Sequence, residues 1–285
     1  VTRPEGVPFT ERTPRVVAAR RLTRRAGRTA AGRFLAEGPQ AVREALACTP
    51  DAVVEVFGSP AALDQHADLA AAALRHGVPV SPVTGRGMAG LSETVTPQGL
   101  AAVCRFIDVS TDLAVRPAPR LAVLLATVRD PGNAGTVLRT ADAAGADTVL
   151  FCAGSVDPYN GKCVRASAGS LFHLPFVRAA DVAGTVRALR DAGVAVLAAA
   201  VDGELDLDGL AASGELARPT AWVFGNEARG LPAELAGLAD GRVRIPIYGR
   251  AESLNLAAAA AVCLYATARE QRADDTAREQ RAARN

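Results

Sequence analysis

Apolar runs that do not alternate constrain this chain most. In the second half, "LAVLLA" (121–126), "TVLFCA" (148–153), "VAVLAAAV" (194–201) and "TAWVFG" (220–225) are almost wholly apolar, and "RVRIPI" (242–247) follows them. A strand buried on one face alternates apolar with polar residues. A strand buried on both faces does not, and double burial is the habit of parallel sheets covered by helices. Helical stretches separate the runs: "AGTVLRTADAAG", "DVAGTVRALRDAG" and a short one after Pro232. The expectation is an α/β domain with a parallel sheet over 121–270.

The first half reads as a smaller α/β unit over 34–108. "RFLAEGPQAVREALA" is a strand, a turn at Gly38-Pro39 and a helix; "AVVEVFG", "VPVSPV" and "GLAAVCRF" are strands. "SPAALDQHADLAAAALRHG" is a helix with Ser59 as N-cap and Gly77 as its stop. Residues 109–120, with Pro117 and Pro119, read as a linker. Residues 271–285 read as a solvated helical tail, and "TAREQRA" occurs twice along the helix that runs into it, at 267–273 and 276–282.

Formal net charge is only +2, so distribution matters more than the total. Residues 1–33 carry Arg3, Arg12, Arg15, Arg20, Arg21, Arg24, Arg25, Arg28 and Arg33 against Glu5 and Glu11. This is a basic arm, with a basic helix over 12–27, suited to sequence-independent attraction to phosphates. The five cysteines are scattered and odd in number, and His66, His76 and His173 make no spaced pair. That pattern implies reduced thiols, a cytoplasmic setting and no structural metal. No apolar run is long enough to cross a membrane, and the N-terminal arginines precede no signal-like apolar segment.

Two glycine-rich segments invite a nucleotide reading. "GRGMAG" places Gly85, Gly87 and Gly90 in a dinucleotide-like spacing after a strand, with Asp108 at a suitable distance. The following "LSETVTPQGL" cannot continue as the helix that would hold a pyrophosphate, so a plain turn is expected and a nucleotide-dependent oxidoreductase is disfavoured. "DPGNAGTVLRTADAAGAD" (130–147) has neither a third glycine nor a phosphate-binding lysine. Its polar members are Asn133 and Arg139, which on their own read first as a helix N-cap and a surface arginine, and only second as groups facing the carboxyl end of the sheet.

That segment joins two others: "WVFGNEARGLP" (222–232) and "RIPIYGRAESLNLAAAAAVCLYATARE" (244–270). Together the three resemble the SpoU (TrmH-like) branch of the SPOUT RNA methyltransferases, over roughly 120–270. The front domain is similar, more loosely, to that family's ribosomal-protein-like RNA-binding domain, through "FLAEGPQAVREAL" and "TPQGLAAV". The resemblance implies a C-terminal trefoil-knotted parallel-sheet domain, S-adenosylmethionine as cofactor, and methyl transfer to a ribose 2′-hydroxyl of RNA. It also implies a homodimer, and 23S rRNA as the substrate. The chain looks similar to relatives from antibiotic producers, including the avilamycin-resistance group, which would make the target a uridine. A tRNA 2′-O-methyltransferase and a non-catalytic RNA-binding protein of the same fold are the alternatives.

By the same resemblance, Gly225, Asn226, Ile245 and Leu254 hold the cofactor, and Asn133, Arg139, Glu227, Ser253 and Asn255 form the catalytic set. The plainer, less favoured readings are core packing for Ile245 and Leu254 and a surface ion pair for Glu227; Ser253 and Asn255 would position the hydroxyl, and helix capping can coexist with that role. A guanidinium is a poor base, so Arg139 is better suited to binding the phosphate beside the target ribose and steadying charge on its oxygen. Asn133 would orient the ribose or Arg139, and Glu227 would orient Arg139 or nearby backbone donors. A sulfonium methyl is already activated, so the reaction requires no metal. Arg20, Arg21, Arg24, Arg25, Lys162 and Arg165 are candidates for contact with RNA phosphates.

Overall fold

The computed structural model describes residues 7–227 and 229–282. Arg3 and Glu5 of the basic segment, and the last three residues of the tail, lie outside them. The chain divides into two compact units, 1–107 with 157–173, and 108–156 with 174–285.

In the first unit the chain runs α1 (Pro14–Arg20), α2 (Arg25–Ala31), β1 (Arg33–Glu37), α3 (Pro39–Cys48), β2 (Val53–Gly58), α4 (Pro60–Gln65), α5 (Ala67–Arg75), β3 (Val80–Pro82), α6 (Gly85–Ala89) and β4 (Leu100–Arg105). The four strands form one sheet in the order β1-β4-β2-β3. β4 is antiparallel to both neighbours and β2 is parallel to β3. α6 is the "GRGMAG" segment: a single helical turn capped by Thr84, with no helix leading on from it.

The basic segment is part of this unit's core. Val16, Ala19 and Leu22 are buried against Leu35, Phe57, Met88, Leu91 and Val103. The helix expected over 12–27 is broken at Arg24, whose backbone is extended, because α2 starts afresh there. Arg28 is buried, not solvated. Its Nε and Nη2 donate to Asp157 Oδ2 at 3.0 and 2.7 Å, and its Nη1 donates to the carbonyls of Leu22 and Thr23. Asp157 opens the segment that leads into α9 (Gly161–Ala166), so the discontinuous piece 157–173 is fixed here and not in the second unit, where the sequence reading had placed it.

The second unit holds α7 (Thr111–Val115), β5 (Leu121–Leu125), α8 (Pro131–Ala144), β6 (Thr148–Cys152), β7 (Phe176–Ala180), α10 (Val182–Asp191), β8 (Ala195–Ala199), β9 (Leu205–Asp206), α11 (Leu207–Ala212), β10 (Thr220–Phe224), α12 (Ala233–Ala236), β11 (Gly241–Arg244) and α13 (Leu256–Ala282). Its seven strands form one sheet, β7-β6-β5-β10-β8-β11-β9, and every pairing is parallel. Ala122, Leu124, Ala221 and Val223 face one core with Val186 and Leu189 of α10. Trp222 faces the other side, where its indole N–H donates to Thr267 of α13 at 2.9 Å. Double-sided burial explains the non-alternating runs.

Residues 109–120 are not a free linker: α7 forms there and buries Ala114 and Val115 in the core. The first "TAREQRA" copy is solvated on one side only, with Arg269, Arg272 and Ala273 exposed. Thr267, Ala268 and Gln271 are buried, and the Gln271 amide donates to the carbonyls of Arg120 and Arg218. Among the described residues no helix is long and apolar enough to cross a membrane.

Candidate active site

β5 and β10 are neighbours in the middle of the sheet, and their carboxyl ends feed two adjacent loops. The pairing extends one residue beyond the strands, where Ala126 N–H donates to the Phe224 carbonyl at 2.8 Å. Open α/β sheets bind ligands at such strand ends. The β5 loop then bends sharply: Thr127 adopts a left-handed backbone with φ of 61°, unusual for a β-branched residue. The amide of Asn226 stabilises this bend, its Nδ2 donating to the Thr127 carbonyl at 3.1 Å. Asn226 Oδ1 accepts from Arg229 N–H, so both ends of this side chain serve the loops themselves.

α8 begins at Pro131, and its N-cap is Asp130, not Asn133. Asp130 Oδ1 accepts the Asn133 N–H at 2.7 Å. Proline suits the first helical turn because its missing N–H would have no partner there. With the cap supplied by Asp130, the Asn133 side chain is released for other contacts. Glu227 Oε1 accepts from Asn133 Nδ2 at 3.4 Å and from Asp130 N–H at 3.1 Å, while Oε2 accepts from Arg129 N–H at 3.2 Å. Asn133 Oδ1 in turn accepts from Asn255 Nδ2 at 3.3 Å. Asn255 also caps α13, its Oδ1 accepting from Ala257 N–H at 2.9 Å. Capping and membership of the polar array therefore coexist in one residue.

Glu227 is thus anchored to backbone donors, not to Arg139 and not to a surface cation. Partial burial pushes its carboxyl up. Hydrogen bonds from its own N–H, from the Asp130 and Arg129 N–H groups and from Asn133 outweigh this and hold it below the usual carboxylate value. The carboxylate is the charged end of a chain that orients two amides.

Arg139 stands apart. It lies six residues beyond Asn133, which rotates it well around α8. It is exposed and makes no side-chain hydrogen bond or ion pair among the described residues. Ser253 is also exposed, with no such bond among them. Of the five residues assigned to catalysis, Asn133, Glu227 and Asn255 are joined, while Arg139 and Ser253 are presented outward.

Gly225 is fully enclosed. A Cβ there would fall 2.5 Å from the backbone of Gly230, so only glycine lets the loop fold back on the strand end. Gly230 itself has φ of 66° and exchanges two backbone hydrogen bonds with Asn226. Ile245 is half-buried and Leu254 is 38% exposed, so Leu254 is not the core residue that one reading made it. Asp130, Thr127 and Gly230 were not singled out in the sequence. The Asp-Pro-Gly order was a legible cap signal for Asp130; nothing local marks Thr127.

In the first unit, Arg20, Arg21, Arg24, Arg25 and Lys162 are exposed. Arg165 differs: its Nη1 donates to Glu37 Oε2 at 2.6 Å, and the pair is largely buried.

Residues 120–265 match the model of the SpoU rRNA Methylase family, and 13–102 match that of the MRM3-like substrate binding domain. The chain belongs to the SpoU family. One SpoU relative, the 23S rRNA (guanosine(2553)-2′-O)-methyltransferase of Bacillus subtilis, is 36% identical over 84% of this chain and 89% of its own length. The 23S rRNA (uridine(2479)-2′-O)-methyltransferase of Streptomyces viridochromogenes is 38% identical, but over only 55% of each chain. Among SpoU-like crystal structures, the AdoMet-bound rRNA methyltransferase from Sinorhizobium meliloti superposes with a TM-score of 0.78 at 33% identity, covering 90% of this chain and 95% of that one. Two of the three segments that carry the resemblance fall inside the matched SpoU region, and the third, 244–270, begins inside it and runs past its end at 265.

Proposed function

We propose that this protein transfers the methyl group of S-adenosylmethionine to a ribose 2′-hydroxyl of 23S rRNA. The observation that carries the reading is the Glu227–Asn133–Asn255 array at the carboxyl ends of β5 and β10, in a chain of the SpoU family. An amide pair held by an ionised carboxylate is pre-set to orient a hydroxyl without moving during the reaction.

The residues fit the cofactor. Gly225 keeps a strand end clear of side chains, and Ile245, Leu254 and the 37%-exposed Ile247 offer apolar surface of the kind an adenine needs. Gly225, Ile245 and Leu254 would hold it, mainly through backbone groups. Asn226 supports the loop beside it. When bound, the cofactor supplies an activated methyl on sulfur. Asn133, Asn255 and Ser253 place the ribose oxygen in line with that methyl. Arg139 binds the adjacent phosphate and steadies charge on the oxygen as its proton leaves.

The first unit would dock the RNA. Arg20, Arg21, Arg24 and Arg25 supply phosphate attraction, and Lys162 adds to it; Arg165, committed to Glu37, contributes less. The trefoil knot belongs to this reading. Its support is membership of the SpoU family over 120–265. A homodimer belongs to it as well: Val262 and Tyr265 leave an exposed apolar stripe on α13, 41% and 50% accessible.

The test is transfer of labelled methyl from S-adenosylmethionine to ribosomal RNA, to intact subunits and to tRNA, followed by alkaline hydrolysis. Label in an alkali-resistant dinucleotide supports the proposal. Its identity separates a guanosine target from the uridine expected of a resistance enzyme. Label in mononucleotides, or in tRNA alone, overturns it.

A further inference from the structure

The sequence offers no metal-ligand spacing, yet the first unit brings three chemically suited side chains together. Glu44 and Cys48 lie one helical turn apart on α3, on the edge that faces solvent. His173 arrives from far along the chain, at the end of the short 3-10 turn Ser170–Phe172, which packs on α3. One ligand atom from each of the three lies within 4.8 Å of the other two. His173 Nε2 is 3.1 Å from Glu44 Oε2.

We infer that Glu44, Cys48 and His173 form a binding site for one divalent transition-metal ion of the zinc type. The donor set is one thiolate, one imidazole and one carboxylate. That mixture selects zinc, cobalt or nickel over magnesium or calcium, which prefer oxygen alone. Bond lengths of about 2.0–2.3 Å around a tetrahedral ion place ligand atoms roughly 3.3–3.7 Å apart. His173 and Glu44 already stand 3.1 Å apart, so the closure, about 1.5 Å at most, falls on the exposed Cys48, which moves by rotation about its own bonds. Three protein ligands leave the fourth position to water.

Two further features belong to a built site. The other Glu44 oxygen, Oε1, accepts from Gln40 Nε2 at 2.8 Å, an outer hydrogen bond of the kind that fixes a ligating carboxylate. Gly169 has φ of 103°, and a Cβ on it would fall 2.4 Å from Glu44 Cγ. The glycine therefore leaves the space in which the Glu44 stem lies. On binding, the Cys48 thiol releases its proton to solvent and its sulfur lone pair forms the metal bond. The ion would clip the discontinuous segment 157–173 to α3. This inference stands apart from the methyl-transfer reading.

Cobalt(II) is the probe. Reduced, chelator-stripped full-length protein is titrated with it, and absorption is followed in the near-ultraviolet for thiolate-to-cobalt charge transfer and in the visible for tetrahedral bands. The expected result is saturation at one equivalent, with zinc bleaching the bands. Cys48→Ser abolishes the charge-transfer band, His173→Ala weakens affinity at least tenfold, and Gln40→Ala weakens it about 10- to 100-fold. Saturating zinc raises the thermal midpoint of the unaltered protein and not that of Cys48→Ser. Cys48 and His173 are exposed, so both variants fold. The site is refuted if no charge-transfer band forms. A band of undiminished strength in Cys48→Ser would place the cobalt on another cysteine and equally overturn it.

Discussion

Glu227 grips Asn133 from across two loops: one oxygen of its carboxylate meets the Asn133 amide at 3.4 Å and the Asp130 N–H at 3.1 Å, while the other takes the Arg129 N–H at 3.2 Å. The carboxylate thereby ties the loop after β10 to the start of α8. Asn133 passes that order to Asn255 at the start of α13. Three elements distant in sequence meet in one polar array.

Glu227→Gln tests that array. Glutamine keeps the shape but brings an NH₂ to face a backbone N–H, so one of the three anchors is lost. Methyl transfer is expected to fall about 10- to 100-fold through misplacement of Asn133 and Asn255, with the thermal midpoint little changed. The pH dependence has a definite sign. The folded-state carboxyl lies below its ordinary value of 4.5, so the ionised form is the one the fold favours. Its contribution is complete above that value and is lost as pH falls through the lowered folded value. An acid limb below about pH 4.5 in the transfer rate is expected in the unaltered enzyme and absent in Glu227→Gln. Single-turnover rates against pH read both.

Arg139→Ala separates fold from chemistry. The side chain is exposed and makes no hydrogen bond or ion pair among the described residues, so its loss leaves folding intact. As the group set against phosphate and the developing oxyanion, its loss should cost about 10²–10³ in turnover. Arg139→Lys recovers part of this as a point charge without the fork. Near-normal activity in Arg139→Ala, with an unshifted melting curve, removes its assigned role.

Much of this architecture was legible, and the misses share a physical cause. The central strands β5, β6, β8 and β10 announce themselves because both faces are buried. β7 and β9 do not: they are the two edges of the sheet, β7 is interrupted by Arg178, and β9 is two residues long. Residues 109–120 looked like a linker through their prolines, yet Ala114 and Val115 are core. Composition made 1–33 an arm because nine arginines face only two glutamates and the apolar residues are scattered among them, and only the fold shows Val16, Ala19 and Leu22 turned inward. In the site, polar residue types were readable in order. Which of them touch was not, because the array depends on Asp130 taking the cap and on a left-handed Thr127.

The basic segment therefore yields a split prediction. Alanine at Arg20, Arg21, Arg24 and Arg25 removes exposed charge, so RNA affinity falls while folding holds. The slope of log affinity against log salt shallows by roughly 0.7–0.9 for each arginine that meets a phosphate. Deletion of 1–33 does something different: it strips Leu22 and its neighbours from the core of the first unit, and loss of the folded unit is expected. Circular dichroism and salt-dependent binding, measured together, tell the two apart.

Arg28→Ala sharpens the same point within one residue type. Arg28 is 3% exposed and Asp157 10%, and the guanidinium also satisfies two carbonyls. Removing it strands a buried carboxylate, at a cost of about 3–5 kcal/mol. Arg24→Ala, four residues away and exposed, should cost less than about 0.5 kcal/mol. Denaturant unfolding of the two variants, monitored by far-ultraviolet circular dichroism, reads the difference. Equal midpoints would mean that the Arg28–Asp157 pair does not hold the segment 157–173 to α2.

Trp222 gives the second unit its own reporter, because it is the only tryptophan in the chain. Its indole N–H donates to Thr267 Oγ1 at 2.9 Å in a fully buried setting, and Thr267 donates to the Cys263 carbonyl at 3.0 Å. Thr267→Val keeps the volume and deletes the acceptor. The indole donor is then buried without a partner, which costs about 1–3 kcal/mol. Tryptophan fluorescence during denaturation should show that loss as a lower midpoint with unchanged slope, since the surface exposed on unfolding is the same. Thr267→Ser restores the hydroxyl and most of the stability, leaving the deficit of one methyl group. If Val and Ser behave alike, the hydrogen bond between β10 and α13 contributes nothing, and apolar packing alone seats the C-terminal helix on the sheet.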